Sequence, residues 1–311
     1  NIMDTKKFDI IIIGGGLLGM SLAAALRPSD YRIAIIDAKP FEQQCPAKQD
    51  SRSIALSRTS CNILKHIAIW DKFSSNCTPI RRIHVSDQGR FGMTRLDANQ
   101  YNLDYFGQIV PYHLLADALW NQIQSDEKIV CYIPAKVTAL AVNSKKAQCT
   151  INTSDNQTQQ LHSPLLIAAD GSHSFVRRQL NIETQTSDDQ QQALVANVGI
   201  TSTQHDTAYE RFCGSSIIAL LPQSMQQYGL VWTDKPEKID DLMNLNEEEL
   251  LAALQAQFGY RLGRFTWLGK RFSYPLQTIF AKQQTQPHLL LLGNAAHTVH
   301  PVGAQGFNLG L

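Results

Sequence analysis

The stretch that decides the fold is Phe8 to Asp37, FDIIIIGGGLLGMSLAAALRPSDYRIAIID. Phe8–Ile13, apolar apart from Asp9, has the pattern of a strand buried on both faces. Gly14, Gly16 and Gly19 follow in G-x-G-x-x-G register. Leu17–Leu26 then reads as a helix stopped by Arg27-Pro28, and Tyr31–Ile36 as a second strand closed by Asp37. In such a unit the first glycine permits a tight turn. The second lets backbone approach a pyrophosphate, and the third lets helix and strand pack closely. The helix N-terminus offers free N–H groups and the positive end of its dipole to phosphates. Asp37, 18 residues after Gly19, is placed to accept from ribose hydroxyls. A glycine-rich turn in an ordinary α/β protein would leave that acid without a reason to end an apolar strand. The unit therefore predicts dinucleotide binding, with NAD and FAD both open at this point. No second glycine fingerprint occurs, so one tightly held nucleotide is expected.

Composition narrows the class. A chain of 311 residues has the length of two domains. Apolar residues at 43% and charged residues at 18% are ordinary for a globular protein and exclude a disordered chain. A net charge of +1, with no basic cluster longer than Arg81-Arg82, argues against a nucleic-acid partner held by a basic field. Ile10–Leu26 is uncharged and follows Lys6-Lys7, which resembles a signal peptide. The spaced glycines, the Arg27-Pro28 stop and the second apolar run argue otherwise, and 17 residues is marginal for a membrane span. The cysteines at 45, 61, 77, 131, 149 and 213 form no CxxC pair, so reduced thiols in a cytoplasmic protein are expected.

Further along, a helix runs to about Trp70. Strands are expected at Arg81–Val85, Phe91–Leu96, Lys128–Ile133, Lys136–Val142, Ala147–Thr153 and Leu165–Ala169. Polar Thr153–Gln160 reads as a turn. Pro111–Ile123 is an amphipathic helix with Pro111 suited to its first turn. Asn246 and Glu249 form a capping box. Ala193–Trp232 and Leu262–Ala281 are strand-rich, and Leu289–Leu292 is a short buried strand ending in Gly293-Asn294. The expected architecture is α/β. A discontinuous Rossmann-like nucleotide-binding domain covers 1–76, 103–185 and 285–311, and an inserted β-sheet substrate domain covers 77–102 and 186–284.

Three motifs together carry a resemblance: the glycine turn with Asp37, AADGSHSFVRR from Ala168 to Arg178, and GNAAHTVHPVGAQGFNLG from Gly293 to Gly310. The set resembles the single-component FAD-dependent aromatic hydroxylases of the p-hydroxybenzoate hydroxylase type. HVSDQGRFG at 84–92, ERF at 210–212, LVW at 230–232 and FGYRLGRFTWLGKRFSYPL at 258–276 look like the ubiquinone-biosynthesis hydroxylases, and most like 2-octaprenyl-6-methoxyphenol hydroxylase. The likeness runs from Phe8 to the last residue.

The resemblance implies FAD as cofactor and NAD(P)H as co-substrate. By position, Gly14, Gly16 and Gly19 would hold the pyrophosphate and Asp37 the adenosine ribose. Arg52 would lie beside FAD, and Asp170 and Gly171 would serve both FAD and NAD(P)H. Gly293 and Asn294 would sit at the ribityl and phosphate part. The backbone from Pro301 through Gly303 and Gln305 to Gly306 would follow the flavin ring. His300 and Pro301, at the flavin face, are the candidate catalytic residues: His300 would either bind or polarise the phenol, or bond a loop carbonyl. His297 and His300 lack a third ligand of suitable spacing, so no metal is expected. The implied reaction takes a hydride from NAD(P)H and, through a flavin C4a-hydroperoxide formed with O2, hydroxylates a polyprenylated methoxyphenol para to its hydroxyl, with water as co-product. Other ubiquinone-biosynthesis proteins, and peripheral contact with the inner membrane, are implied partners.

Three positions depart from the family pattern. Asn294 stands where relatives usually have Asp and brings no charge. Ala304 replaces a glycine, which is costly if φ there is positive. His113 stands where many relatives have Arg. The chain also ends at Leu311, where relatives continue with further helices, so a truncated chain is expected. Two other readings are a same-fold FAD reductase acting on prenyl chains and an inactive scaffold in a quinone-biosynthesis complex. A plain NAD dehydrogenase leaves the Asp170 and Gly293 motifs unused.

Overall fold

The structure, a computed structural model, describes residues 5–44, 52–299 and 306–311. Its first sheet has Ile10–Ile13 at the centre, parallel to Ile33–Ile36 on one side and Leu165–Ala168 on the other. Ile129–Tyr132 and Leu289–Leu291 extend it in the same direction, and Thr285–Gln286 closes one edge antiparallel. Alternation along the apolar runs explains why they carry no polar face. Ile10, Ile12, Ile33 and Ile35 pack with the helices Leu17–Leu26 and Tyr112–Gln124. Ile11, Ile13, Ala34 and Ile36 pack on a four-stranded sheet that includes Ala135–Val142 and Ala147–Thr153. Both faces of the parallel strands are thus covered, because the connections between parallel strands cross over the sheet and lay further elements on its faces.

The second large sheet has nine strands. Thr184–Ile200 lies at its middle, pairing antiparallel with Phe272–Ala281 on one side and Gln227–Asp234 on the other. Ser216–Ser224, Thr207–Cys213, Arg82–Asp87 and Met93–Asp97 continue the order. One face is covered by the helices Pro236–Asn244 and Glu247–Phe258, around Leu194, Tyr228, Trp232, Leu254 and Phe258. The other face looks toward a three-stranded sheet of Ser53–Ser57, Gly107–Pro111 and Thr78–Ile80. The long strands Thr184–Ile200 and Phe272–Ala281 also reach the first sheet, where Ala281 N–H donates to the Ala296 carbonyl.

Several elements differ from the expectations. Thr153–Gln160 is a turn only in part, since Thr158–Ser163 is a strand parallel to Thr5–Lys7. Of that strand only Leu161 and Ser163 are buried, so its outward residues disguise it. Pro111 ends a strand and precedes the helix Tyr112–Gln124 rather than lying within its first turn. Phe91 is fully exposed in a hairpin turn, and the strand begins at Met93. The helix Pro236–Asn244 was not foreseen; Ile239 is its one buried residue. The helices Leu17–Leu26 and Glu247–Phe258 form where the pattern placed them. No helix among the described residues is long and apolar enough to cross a membrane.

The Asn246 capping box is complete. Its side chain accepts from Glu249 N–H at 2.9 Å, and its own N–H donates to Glu249 Oε2 at 3.0 Å. Asn246→Ala should therefore destabilise the chain by about 1 kcal/mol, read as a lower urea midpoint with unchanged slope. An unchanged midpoint would mean that the packing of Leu250 and Leu254 alone holds this helix.

Candidate active site

The glycine turn is built by steric exclusion. Gly14 has φ of +115°, and a Cβ there would lie 2.2 Å from the Ala169 carbonyl oxygen. A Cβ on Gly19 would lie 1.9 Å from the Gly14 oxygen, so only glycine lets the helix Leu17–Leu26 sit on its own entry turn. Gly16 is the opposite case: nothing lies within 4 Å of where its Cβ would be. It is the N-cap of that helix, has no side-chain cap, and no acidic residue occupies the first turn. A positive helix end is thereby left open to an anion.

Asp37 closes the neighbouring strand, and both its carboxylate oxygens accept backbone bonds. Oδ2 takes Gly15 N–H at 2.8 Å, and Oδ1 takes Lys39 N–H at 2.9 Å. It therefore anchors the turn as well as lining the groove, with acceptor capacity remaining on each oxygen. The groove has a volume of about 990 Å³ and runs from Asp37 and Arg52 past Gly14 and Gly16 to Asp170 and Gly171. Arg52 lies 4.2 Å above the Tyr112 ring, and one guanidinium nitrogen donates to the Gln44 carbonyl. Lys136, Lys270, Phe272 and Tyr274 also line this groove; the last three belong to the string at 258–276, to which the sequence pattern assigned no cofactor role.

The second motif places Asp170 where the first sheet ends. Its Oδ2 accepts Val176 N–H at 3.1 Å, while Oδ1 is buried with no hydrogen-bond partner among the described residues. A buried carboxylate oxygen left open is costly, and it fits a ligand hydroxyl at the groove wall. Gly171 has φ of +80° and open space around it. Ser174 is fully buried and caps the helix Phe175–Gln179 by accepting Arg177 N–H. Arg177 is 8% exposed, and its guanidinium donates to the carbonyls of Ser172 and Ala295. Burial holds its pKa below the ordinary value, while the Asp170 carboxylate pulls the other way. Arg177 thus ties the second motif to the third.

In the third motif Gly293 has φ of +57° and Asn294 is exposed in a short 3-10 turn. The helix Gly306–Gly310 packs beside it. A Cβ on Gly293 would lie 2.2 Å from Leu18, and one on Gly310 2.7 Å from it, so the first and third motifs meet at that leucine. Asn308 donates to the Ala55 carbonyl and accepts Ser57 N–H, which fixes this helix to the strand Ser53–Ser57. His300, Pro301, Gly303 and Gln305 lie outside the described residues, as do Ala304 and Cys45. His113 is in the helix Tyr112–Gln124, with its Nδ1 buried and without a partner among the described residues.

A second cavity of about 300 Å³ lies between the three-stranded sheet and the nine-stranded sheet. Its floor is Ala208, Ile217, Ala219, Leu221 and Val231, and Asn308 stands in its wall. Glu210 lines it too, and burial pushes its carboxyl above the usual range. Two linked sites result: an open groove with phosphate- and ribose-binding chemistry, and an apolar pocket beside the last flavin motif.

The groups in the groove fit FAD: an open helix N-terminus as donor, a glycine with room for a pyrophosphate, and carboxylate acceptors at Asp37 and Asp170. Gly16→Val should lower the thermal midpoint only slightly, through the poorer N-cap, and weaken FAD binding by roughly tenfold or more. Gly19→Ala should instead lower stability by about 1–3 kcal/mol through overpacking. FAD titrations and thermal melts of both variants separate the two effects. Wild-type FAD affinity in Gly16→Val would remove the pyrophosphate from this turn.

Comparison with known proteins agrees with this geometry. Residues 7–311 match the family described as FAD binding domain. The chain is 30% identical over 310 residues to 3-demethoxyubiquinol 3-hydroxylase of Escherichia coli, covering 99% of this chain and 78% of that protein. It is 32% identical over 306 residues to ubiquinone hydroxylase UbiL of Rhodospirillum rubrum, covering 98% and 70%. Among solved structures, p-nitrophenol 4-monooxygenase PnpA of Pseudomonas putida superposes with a TM-score of 0.78 at 15% identity, over 99% of this chain and 77% of that one. The flavin-dependent monooxygenase PieE, solved with FAD and substrate, gives 0.75 at 16% identity, over 97% and 55%. At such identities the structural likeness shows the fold, which is of the p-hydroxybenzoate hydroxylase type. The fingerprint turn, the open groove and these matches lead to one assignment: the chain belongs to the FAD-binding monooxygenase family, at about 30% identity to ubiquinone hydroxylases.

Proposed function

We propose that this chain holds the flavin and the ring-binding pocket of an FAD-dependent monooxygenase that hydroxylates a polyprenylated methoxyphenol, using NAD(P)H and O2. The observation that carries the reading is the apolar cavity walled by Asn308, on the helix that ends the third flavin motif. A ring seated there lies beside the segment that the family resemblance assigns to the flavin. The names of the relatives at 30% and 32% identity point to ubiquinone precursors.

When bound, FAD supplies the redox chemistry, taking hydride from NAD(P)H and, once reduced, activating O2. The chain supplies binding, orientation and dryness. The N-terminus of the helix Leu17–Leu26 and the bare Gly16 backbone hold the pyrophosphate, and Asp37 takes a ribose hydroxyl. Asp170 Oδ1, already desolvated, accepts from a further hydroxyl at no new desolvation cost. Gly293 and Asn294 position the ribityl part. The aliphatic floor of the pocket excludes water from the ring, which protects an oxygen-transfer step from side reactions. A volume of about 300 Å³ is at the small end for ligand sites. It suits a substituted ring, so a long prenyl tail extends outside it.

The test uses full-length protein loaded with FAD. Adding 2-polyprenyl-6-methoxyphenol should accelerate NAD(P)H oxidation and yield a quinol carrying one oxygen atom from labelled O2. Oxygen uptake that ends only in peroxide would remove this phenol as substrate. Substrate reduction without O2 uptake would move the protein to the prenyl-reductase reading.

A further inference from the structure

We propose that Glu210 is the polar anchor of the apolar cavity, its carboxylate accepting a hydrogen bond from the phenol hydroxyl of the bound ring. The proposal rests on the monooxygenase reading above and specifies how the substrate is held.

The direction of the side chain follows from strand alternation. On Thr207–Cys213, Tyr209 packs against Phe258 and Cys213 joins the same helix-side core, while Arg211 bonds the Gln257 carbonyl and Ser86 Oγ. Ala208 and Glu210 therefore point to the opposite face, and Ala208 packs there with Ile80 and Ile109. Across the ladder Glu210 pairs with Ala219, which pairs with Val231, and both of those residues line the cavity. Glu210 thus stands in a row of aliphatic side chains.

The other polar groups at this cavity are largely accounted for. Ser57 caps the helix Arg58–His66 and bonds Ser60, and Asn308 is committed to the backbone of Ala55 and Ser57. Thr233 is a neutral hydroxyl on the floor. Glu210 is the one ionisable carboxyl in the lining, and among the described residues no hydrogen bond or ion pair engages it. The nearest cations along these strands are used elsewhere: Arg82, opposite Thr207, pairs with Asp206, and Arg211 lies on the other face. Desolvation alone raises the Glu210 pKa. An acid in an aliphatic wall costs stability unless a partner satisfies it. A phenol ring is apolar except at its oxygens, and its hydroxyl is a donor of the kind this carboxylate lacks. The strand that carries Glu210 is also part of the string ERF at 210–212, for which the flavin groove gives no role.

The experiment measures ligand affinity by the change in flavin absorbance, with full-length, FAD-loaded protein. The probes are 2-geranyl-6-methoxyphenol and its O-methyl ether, which has no donor. Wild-type protein should bind the phenol roughly tenfold or more tighter than the ether, the scale of a hydrogen bond to a charged group. In Glu210→Leu that ratio should fall to near one, with FAD affinity unchanged and a thermal midpoint no lower than wild type. Glu210→Gln, of the same size, should give an intermediate ratio, and it serves if the leucine variant does not fold. A Glu210 variant that keeps the wild-type ratio would overturn the anchor, as would wild-type protein that binds phenol and ether equally. Wild-type protein that holds FAD yet binds neither would overturn the phenol-hydroxylase reading itself, and the anchor with it.

Discussion

The contact on which the rest of the site depends is the one between Gly19 and the Gly14 carbonyl. No side chain fits between them, so the helix Leu17–Leu26 is drawn tight against the turn that precedes it. That closeness sets where Leu18 stands. Gly293 and Gly310 both come within contact of Leu18, and neither has room for a Cβ. The third motif is thereby seated against the first. Its helix carries Asn308, whose amide pins the strand Ser53–Ser57, and that strand is a wall of the apolar cavity. A backbone contact in the first twenty residues thus propagates, through one leucine and one asparagine, to the place where a substrate ring would lie.

Arg177 secures the arrangement from the other side. A buried guanidinium is expensive unless its donors are matched, and here two of its nitrogens bond the carbonyls of Ser172 and Ala295. Asp170 provides the nearby negative charge while its Oδ2 supports the helix that carries Arg177. The second and third motifs are 118 residues apart at this bond. One cation at their junction makes two loops into a single wall, which explains why a family likeness should include an arginine that faces away from the groove.

The legible and the hidden parts of the sequence divide by the range of the interaction involved. The helix Leu17–Leu26 and the strand Ala147–Thr153 were read with the ends they have, because local pattern alone makes them. The groove followed as well, since glycine spacing and a terminal acid are local signals. Thr158–Ser163 was hidden because its partners are Thr5–Lys7 and Ala147–Thr153, and its own residues are mostly polar. Asn308 gave no local sign, for its bonds reach 251 and 253 residues back along the chain. Glu210 did leave a trace. In Ala208-Tyr209-Glu210-Arg211 the alternation puts a carboxyl on the same face as an alanine, and that carboxyl becomes notable only once both faces are known to be covered.

The two sites use opposite chemistry, and the fold explains why. The cofactor groove takes its donors from strand ends, turns and a helix terminus, where backbone groups are already unpaired. Those positions tolerate little side-chain change but need few particular side chains. The apolar pocket lies on the face of a mixed sheet whose strands there are paired on both sides, so its polar contacts come mainly from side chains. Such a surface is aliphatic by default and acquires direction from single substitutions. On the proposed reading, discrimination among phenols would reside in side chains such as Glu210 and Thr233 on the nine-stranded sheet, while the glycine turn would serve any reaction of the cofactor.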